Sequence, residues 1–244
     1  MNNINRLYIE EDLAANSSVV LNKEQSHYLI NVLRQKVGNN IKLFNGRNGE
    51  WLGEIRECHK NSVTIHLIQL IKEQGAEINI ELIFSPIRNS RLPYLIEKAT
   101  ELGATKLTPI ITQNTVSRNF NVLRAKSIAI EAAEQSERLT VPIINEIISF
   151  SDLIKDWDSN NKIFFCDERK IKDLELKSDF QIPVKNAPIK HTVLIGPEGG
   201  FNENERSILT SLPYVIPVTL GPRILRTETA AVVALAYLNF NLSS

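Results

Sequence analysis

Cysteine is nearly absent: Cys58 and Cys166 are the only two in 244 residues, too few and too far apart for a disulfide scaffold, which fits a reducing cytoplasm. Long hydrophobic runs are missing too. The longest uncharged apolar stretch, residues 229–242, falls short of the roughly 20 residues that span a bilayer. The opening MNNINRLYIEED is polar and lacks the apolar core of a secretory signal. The expectation is a cytoplasmic protein with no membrane partner. There is no charge excess, since 28 basic side chains face 28 acidic ones. That balance argues against a nucleic-acid binder held by bulk charge and leaves the work to local basic patches. His27, His59, His66 and His191 lie far apart with no cysteine or carboxylate cluster of ligand spacing, so no metal is expected. G-x-G-x-x-G and G-x-x-x-x-G-K-[ST] are absent, and with them the usual dinucleotide and Walker signatures. No G-x-S-x-G elbow occurs, and neither cysteine has a neighbouring histidine that would make a nucleophilic pair.

What remains is a globular composition, 43% hydrophobic and 23% charged, long enough for one large domain or two modest ones. The texture changes near residues 70–76. Before it, Asn45-Gly46 and Asn48-Gly49 interrupt two apolar runs as a hairpin signal, and Ser62–Ile68 alternates as a strand. One helix is expected over 23–36, with Gly38 as its stop. A small β-barrel with one helix is the natural reading. After residue 76 strands and helices alternate, which implies an α/β domain with a largely parallel sheet. Within it, residues 88–126 carry 7 basic and 2 acidic side chains, a local +5 and a patch candidate.

Open parallel sheets bind ligands beyond the carboxyl ends of their strands. Two loops stand at such ends, Ile195-Gly196-Pro197-Glu198-Gly199-Gly200-Phe201 and Leu220-Gly221-Pro222-Arg223-Ile224-Leu225-Arg226-Thr227-Glu228. Asn202 and Glu205 have capping-box spacing at the start of the helix after the first. Either loop alone reads equally as a turn of the chain; the pair together points to a ligand approached closely by backbone.

These loops, with Arg88-Asn-Ser-Arg91-Leu-Pro-Tyr-Leu-Ile-Glu-Lys98-Ala-Thr-Glu-Leu-Gly103, Glu131-Ala-Ala-Glu-Gln-Ser136-Glu-Arg138, Arg6-Leu-Tyr-Ile9 and His27-Tyr-Leu-Ile-Asn-Val-Leu-Arg34, resemble the RsmE family. Its members are S-adenosyl-L-methionine-dependent enzymes of the SPOUT class that methylate N3 of a uridine in 16S ribosomal RNA. The likeness covers nearly the whole chain. It implies a PUA-like β-barrel domain over residues 1–72 and a SPOUT α/β methyltransferase domain over 73–244. The second domain would carry a deep trefoil knot with knot loops at about 194–201 and 220–229, and would act as a homodimer.

The resemblance implies that Ile195, Gly196, Pro197, Glu198, Gly199, Gly200, Leu220, Gly221, Ile224, Leu225 and Thr227 hold the cofactor. N3 of uracil must lose its proton to become nucleophilic, so a base or a stabiliser of the uracil anion is needed. Arg226 is the candidate stabiliser. Glu228 is the candidate base or the group that orients Arg226, or else simply a favourable charge in the first turn of a helix. Arg6, His27, Arg34, Arg88, Arg91, Arg138 and Arg223 are the expected RNA contacts, each with a solvated-charge or helix-packing alternative. The partner would be 16S rRNA within the assembled or assembling small subunit. The rivals are a ribose 2′-O-methyltransferase acting on tRNA and a non-catalytic ribosome-assembly factor. Two departures from the family pattern, Gln113-Asn114-Thr115 and Glu137 before Arg138, fall where RNA or a partner subunit would be met.

Overall fold

The computed structural model describes residues 4–167 and 190–242. Most of the charged, Pro-containing loop expected between Cys166 and Thr192 lies outside the described residues. Two compact units form: Met1–Ala76 with Ala133–Val141, and Glu77–Ala132 with Pro142–Ser244. A single cut near residue 72 does not anticipate the return of residues 133–141 to the first unit.

The first unit contains β1 (Arg6–Tyr8), β2 (Ser18–Val20), α1 (Lys23–His27), β3 (Asn40–Phe44), β4 (Glu50–His59) and β5 (Ser62–Lys72). The strands form a sheet of order β1-β3-β4-β5-β2, with β1 parallel to β3 and the other pairs antiparallel. Alternation explains the buried face: in β5 Val63, Ile65 and Leu67 are buried and the residues between them are not. They join Leu7, Ile9, Leu29, Ile41, Leu43 and Ile55 in one core.

The helix expected over 23–36 is shorter. Asn22 and Gln25 form a capping box, α1 continues as a π-helical turn over Tyr28–Val32, and Leu33 caps it. Arg34 then takes a left-handed φ of +55°, and the Gln35 N–H donates to the Leu29 carbonyl at 3.0 Å, which closes the end as a glycine often does. Gly38 belongs instead to the approach to β3, where its N–H donates to the Ile55 carbonyl.

The second unit runs β6 (Ile80–Phe84), α2 (Leu92–Glu101), β7 (Lys106–Ile111), α3 (Val122–Gln135), β8 (Ile143–Ile144), β9 (Ile148–Ser149), α4 (Phe150–Lys155), β10 (Ile163–Cys166), β11 (His191–Ile195), α5 (Glu203–Ser211), β12 (Val215–Val218) and α6 (Thr227–Leu242), with α3 ending in the first unit. Its sheet has the order β12-β10-β11-β6-β7-β8, with β9 pairing β7, and every pairing is parallel. All residues of β6, β10 and β11 are buried, as expected for parallel strands covered on both faces. On one face Ile83, Phe165, Leu194, Phe201 and Leu209 share a core with α4 and α5; α6 packs on α2 and β11. Fully burying one such side chain contributes about 1.5–3 kcal/mol. No helix of the described residues is long and apolar enough to cross a membrane.

Candidate functional site

Adjacent parallel strands β12, β10 and β11 end on the same side of the sheet, so the loops that follow β11 and β12 meet there. They enclose a cavity of about 520 Å³, within the roughly 300–1,000 Å³ typical of small-molecule sites. Ile195, Gly196, Pro197, Glu198 and Gly200 line it from the β11 loop, and Leu220, Gly221, Ile224, Leu225 and Thr227 from the β12 loop. The Thr227 hydroxyl donates to the Gly196 carbonyl at 3.0 Å, tying the two loops together. Gly196 has to be glycine: a Cβ there would lie 2.7 Å from the Phe201 ring, which is packed edge-on against Phe165. Gly221 has a φ of +107°, a backbone conformation that side chains oppose.

Gly199 does not line the cavity. It sits on Asn114, whose Nδ2 donates to the Gly199 and Gly200 carbonyls at 3.1 Å each. Beside it the Gln113 N–H donates to Glu205 Oε1 at 2.8 Å, while the other oxygen of Glu205 completes the capping box with Asn202. The Gln113-Asn114-Thr115 departure therefore braces the glycine loop. Gln113 itself is exposed, so the same segment that braces the loop also presents a side chain at the surface. The sequence signal was the departure itself, two residues beyond the end of β7.

Other lining residues were missed. Cys166 and Asp167 follow β10 into the cavity, a position the carboxyl-end rule could have flagged. Burial pushes the Cys166 thiol up to about 12, so it stays protonated and is no nucleophile. Asp167 is ion-paired with Arg206, whose own pKa burial lowers. Glu198 is exposed at the cavity.

Arg223 and Arg226 are exposed and line the cavity. Glu228 does not join them: it is buried at the start of α6 and ion-paired with Arg91, ahead of α2. Its place in the first turn of α6 fits the alternative reading of Glu228 as a favourable helix-start charge, and its pairing with Arg91 leaves that guanidinium partly neutralised. Arg88 is exposed, and its carbonyl accepts from the Arg91 and Leu92 N–H groups.

In the first unit Arg6 is also a correction. It is only 8% exposed, bonds Glu50 at 2.5 Å and donates to the carbonyls of Ala133, Glu134 and Arg138. With its guanidinium over Phe44, it is an internal strut and not an RNA contact. Arg138 is half-buried and its Nε donates to Thr140 Oγ1. His27 and Arg34 are exposed. Glu137 has a left-handed φ of +59°, which accounts for the glycine common at that place in the resembling family.

Comparison with known proteins gives a consistent picture. A model of an RNA methyltransferase domain matches residues 74–239, and one of an RNA methyltransferase PUA domain matches residues 21–68. The chain is 37% identical over 233 residues to the ribosomal RNA small subunit methyltransferase E of Rickettsia conorii, covering 95% of this chain and 93% of the relative. With the Bacillus subtilis protein of the same name it shares 32% identity, covering 89% and 88%. Among solved structures, the Neisseria gonorrhoeae ribosomal RNA small subunit methyltransferase E bound to S-adenosyl methionine superposes with a TM-score of 0.83 at 28% identity, covering 98% of both chains.

Proposed function

Because the chain belongs to the ribosomal RNA small subunit methyltransferase E family, we propose that it methylates N3 of a uridine in 16S ribosomal RNA, with S-adenosyl-L-methionine as donor. The observation that carries the reading is the single cavity built by both glycine-containing loops. A cofactor of this size and mixed polarity fits it: backbone approaches closely at Gly196 and Gly221, and apolar Ile195, Leu220 and Leu225 offer a face for an adenine ring. When bound, the donor supplies an electrophilic methyl group. The residues lining the cavity from both loops, apart from Glu198, Arg223 and Arg226, hold and orient it.

Arg226, exposed at the rim, stabilises negative charge on the uracil oxygens as the N3 proton leaves. Glu198 is the carboxylate available to accept that proton, since it makes no ion pair among the described residues while Asp167 is held by Arg206. Glu228 acts through Arg91 as a positioning residue. Arg223 with Arg88, and His27 with Arg34 on the PUA unit, contact RNA backbone. The loops at 194–201 and 220–229 form the trefoil knot of the SPOUT class, with Thr227 on Gly196 as one tie between them, and the five strands of the first unit curl into a barrel around their shared core. Val233, Tyr237 and Phe240, spaced along one side of α6 and 38%, 38% and 78% exposed, form an apolar stripe that a second copy covers in a homodimer.

The test is transfer of labelled methyl from S-adenosyl-L-methionine to small subunits from cells lacking the modification, under single-turnover conditions. Arg226→Ala should slow transfer by about 100-fold or more, and Glu198→Gln by about 100-fold, with cofactor affinity retained. Label entering tRNA in place of the subunit, or full activity of Arg226→Ala, would overturn the assignment.

A further inference from the structure

The second unit has another concavity, of about 390 Å³, at the start of α2 and of α3. We propose that it is a subsite for an unpaired ribonucleotide of the RNA substrate, with the phosphate on Arg118 and Arg124 and the base on Phe120. This inference rests on the reading of the chain as a ribosomal RNA methyltransferase.

The composition of the groove points to a nucleotide. Its inner wall is apolar, formed by Leu92, Ile96 and Ile128, and no acidic side chain lines it. Arg118 and Arg124 are exposed and make no ion pair among the described residues. Two unneutralised guanidiniums in one hollow attract a phosphate. The half-buried Phe120 ring is held edge-on by Phe84, with centroids 6.0 Å apart. An oriented aromatic beside free guanidiniums is the combination that single-stranded RNA binders use for stacking and charge. Asn89 and Asn119, also at the groove, carry amides that donate to and accept from base edges. A free phosphate ion would use the arginines but not the apolar wall or the ring.

Arg91 links the groove to the start of α6. Leu92 and Asn89 flank Arg91, and Arg91 is ion-paired with Glu228, two residues beyond Arg226. In this proposal a strand that presents its target uridine at Arg226 places a neighbouring nucleotide in the hollow. The start of α3 is set by Asn121, whose Oδ1 accepts from the Arg124 N–H at 2.9 Å, which holds Arg124 at its mouth.

The experiment measures steady-state methylation of undermethylated small subunits by the full chain, with S-adenosyl-L-methionine affinity measured separately. Phe120→Ala and the double variant Arg118→Gln/Arg124→Gln should each raise KM for the subunit about tenfold, with kcat and cofactor affinity within about twofold of wild type. Phe120→Trp should restore KM. The double variant alters only exposed charges, so it reports even where Phe120→Ala disturbs packing against Phe84. An unchanged KM in the double variant overturns the subsite, and so does dissociation of an oligomer by it in sedimentation, which would make the groove a subunit contact. A wild-type chain that methylates no ribosomal RNA is a different result: it removes the parent reading, and the subsite's RNA partner with it.

Discussion

Asn114 holds the glycine loop by two hydrogen bonds from one amide, each worth about 0.5–1.5 kcal/mol. Asn114→Ala should weaken S-adenosyl-L-methionine binding by roughly 5- to 30-fold, measured by titration calorimetry, and lower the unfolding temperature by a few degrees. Arg34 and Glu137 are non-glycine residues with left-handed φ, a conformation costing about 1–2 kcal/mol. Part of that gain is lost to the greater freedom of an unfolded glycine, so Glu137→Gly should stabilise the chain by about 0.5–1 kcal/mol in denaturant unfolding. Arg34→Gly should stabilise similarly while weakening RNA binding. Legibility at this scale was uneven. Glu137 was visible as a departure from a glycine, but nothing near Arg6 announces that it is buried, because its partners lie 44 to 132 positions away. The Arg91–Glu228 pair, 137 positions apart, was hidden for the same reason.

Elements were readable where local physics decides them. The alternation of β5, the capping box at Asn202 and the strand β6, apolar but for Glu81, each follow from spacing alone. The early end of the helix after α1 was not readable, since it depends on an arginine adopting a glycine-like conformation at Arg34. The join between β11 and α5 gives a sharp prediction: Gly196→Ala drives a methyl into Phe201, so cofactor binding should be lost while far-UV circular dichroism stays native-like. The start of β11 gives another. Burial lowers the pKa of His191 below its ordinary 6.5. The unfolded chain then takes up a proton at His191 that the folded chain does not, so stability declines as pH falls below about 6.5 towards the lowered value, by at most about 1.4 kcal/mol per pH unit. Urea unfolding across pH 5–8 should show His191→Gln with a shallower loss over that window.

At the scale of the whole molecule, a net charge of zero coexists with membership of an RNA-modifying family because the basic residues are local. The second groove draws Arg118 and Arg124 from the +5 stretch, while Arg91 is spent on Glu228. Binding to unstructured RNA should therefore show a shallow salt dependence, a log–log slope of only a few, with structured small subunits preferred. The division of the chain was legible as a change of rhythm over residues 70–76, drawn as a cut at residue 72; the return of residues 133–141 was not, because it is set by contacts such as Phe44 against Ala133 and Leu139. The central claim concerns which atom receives the methyl group. Its most direct test is to incubate the protein with S-adenosyl-L-methionine and small subunits lacking the modification, digest the RNA and identify the nucleoside by mass spectrometry. The account predicts N3-methyluridine at one site in 16S ribosomal RNA, and a 2′-O-methylated nucleoside, or no methylated nucleoside at all, would contradict it.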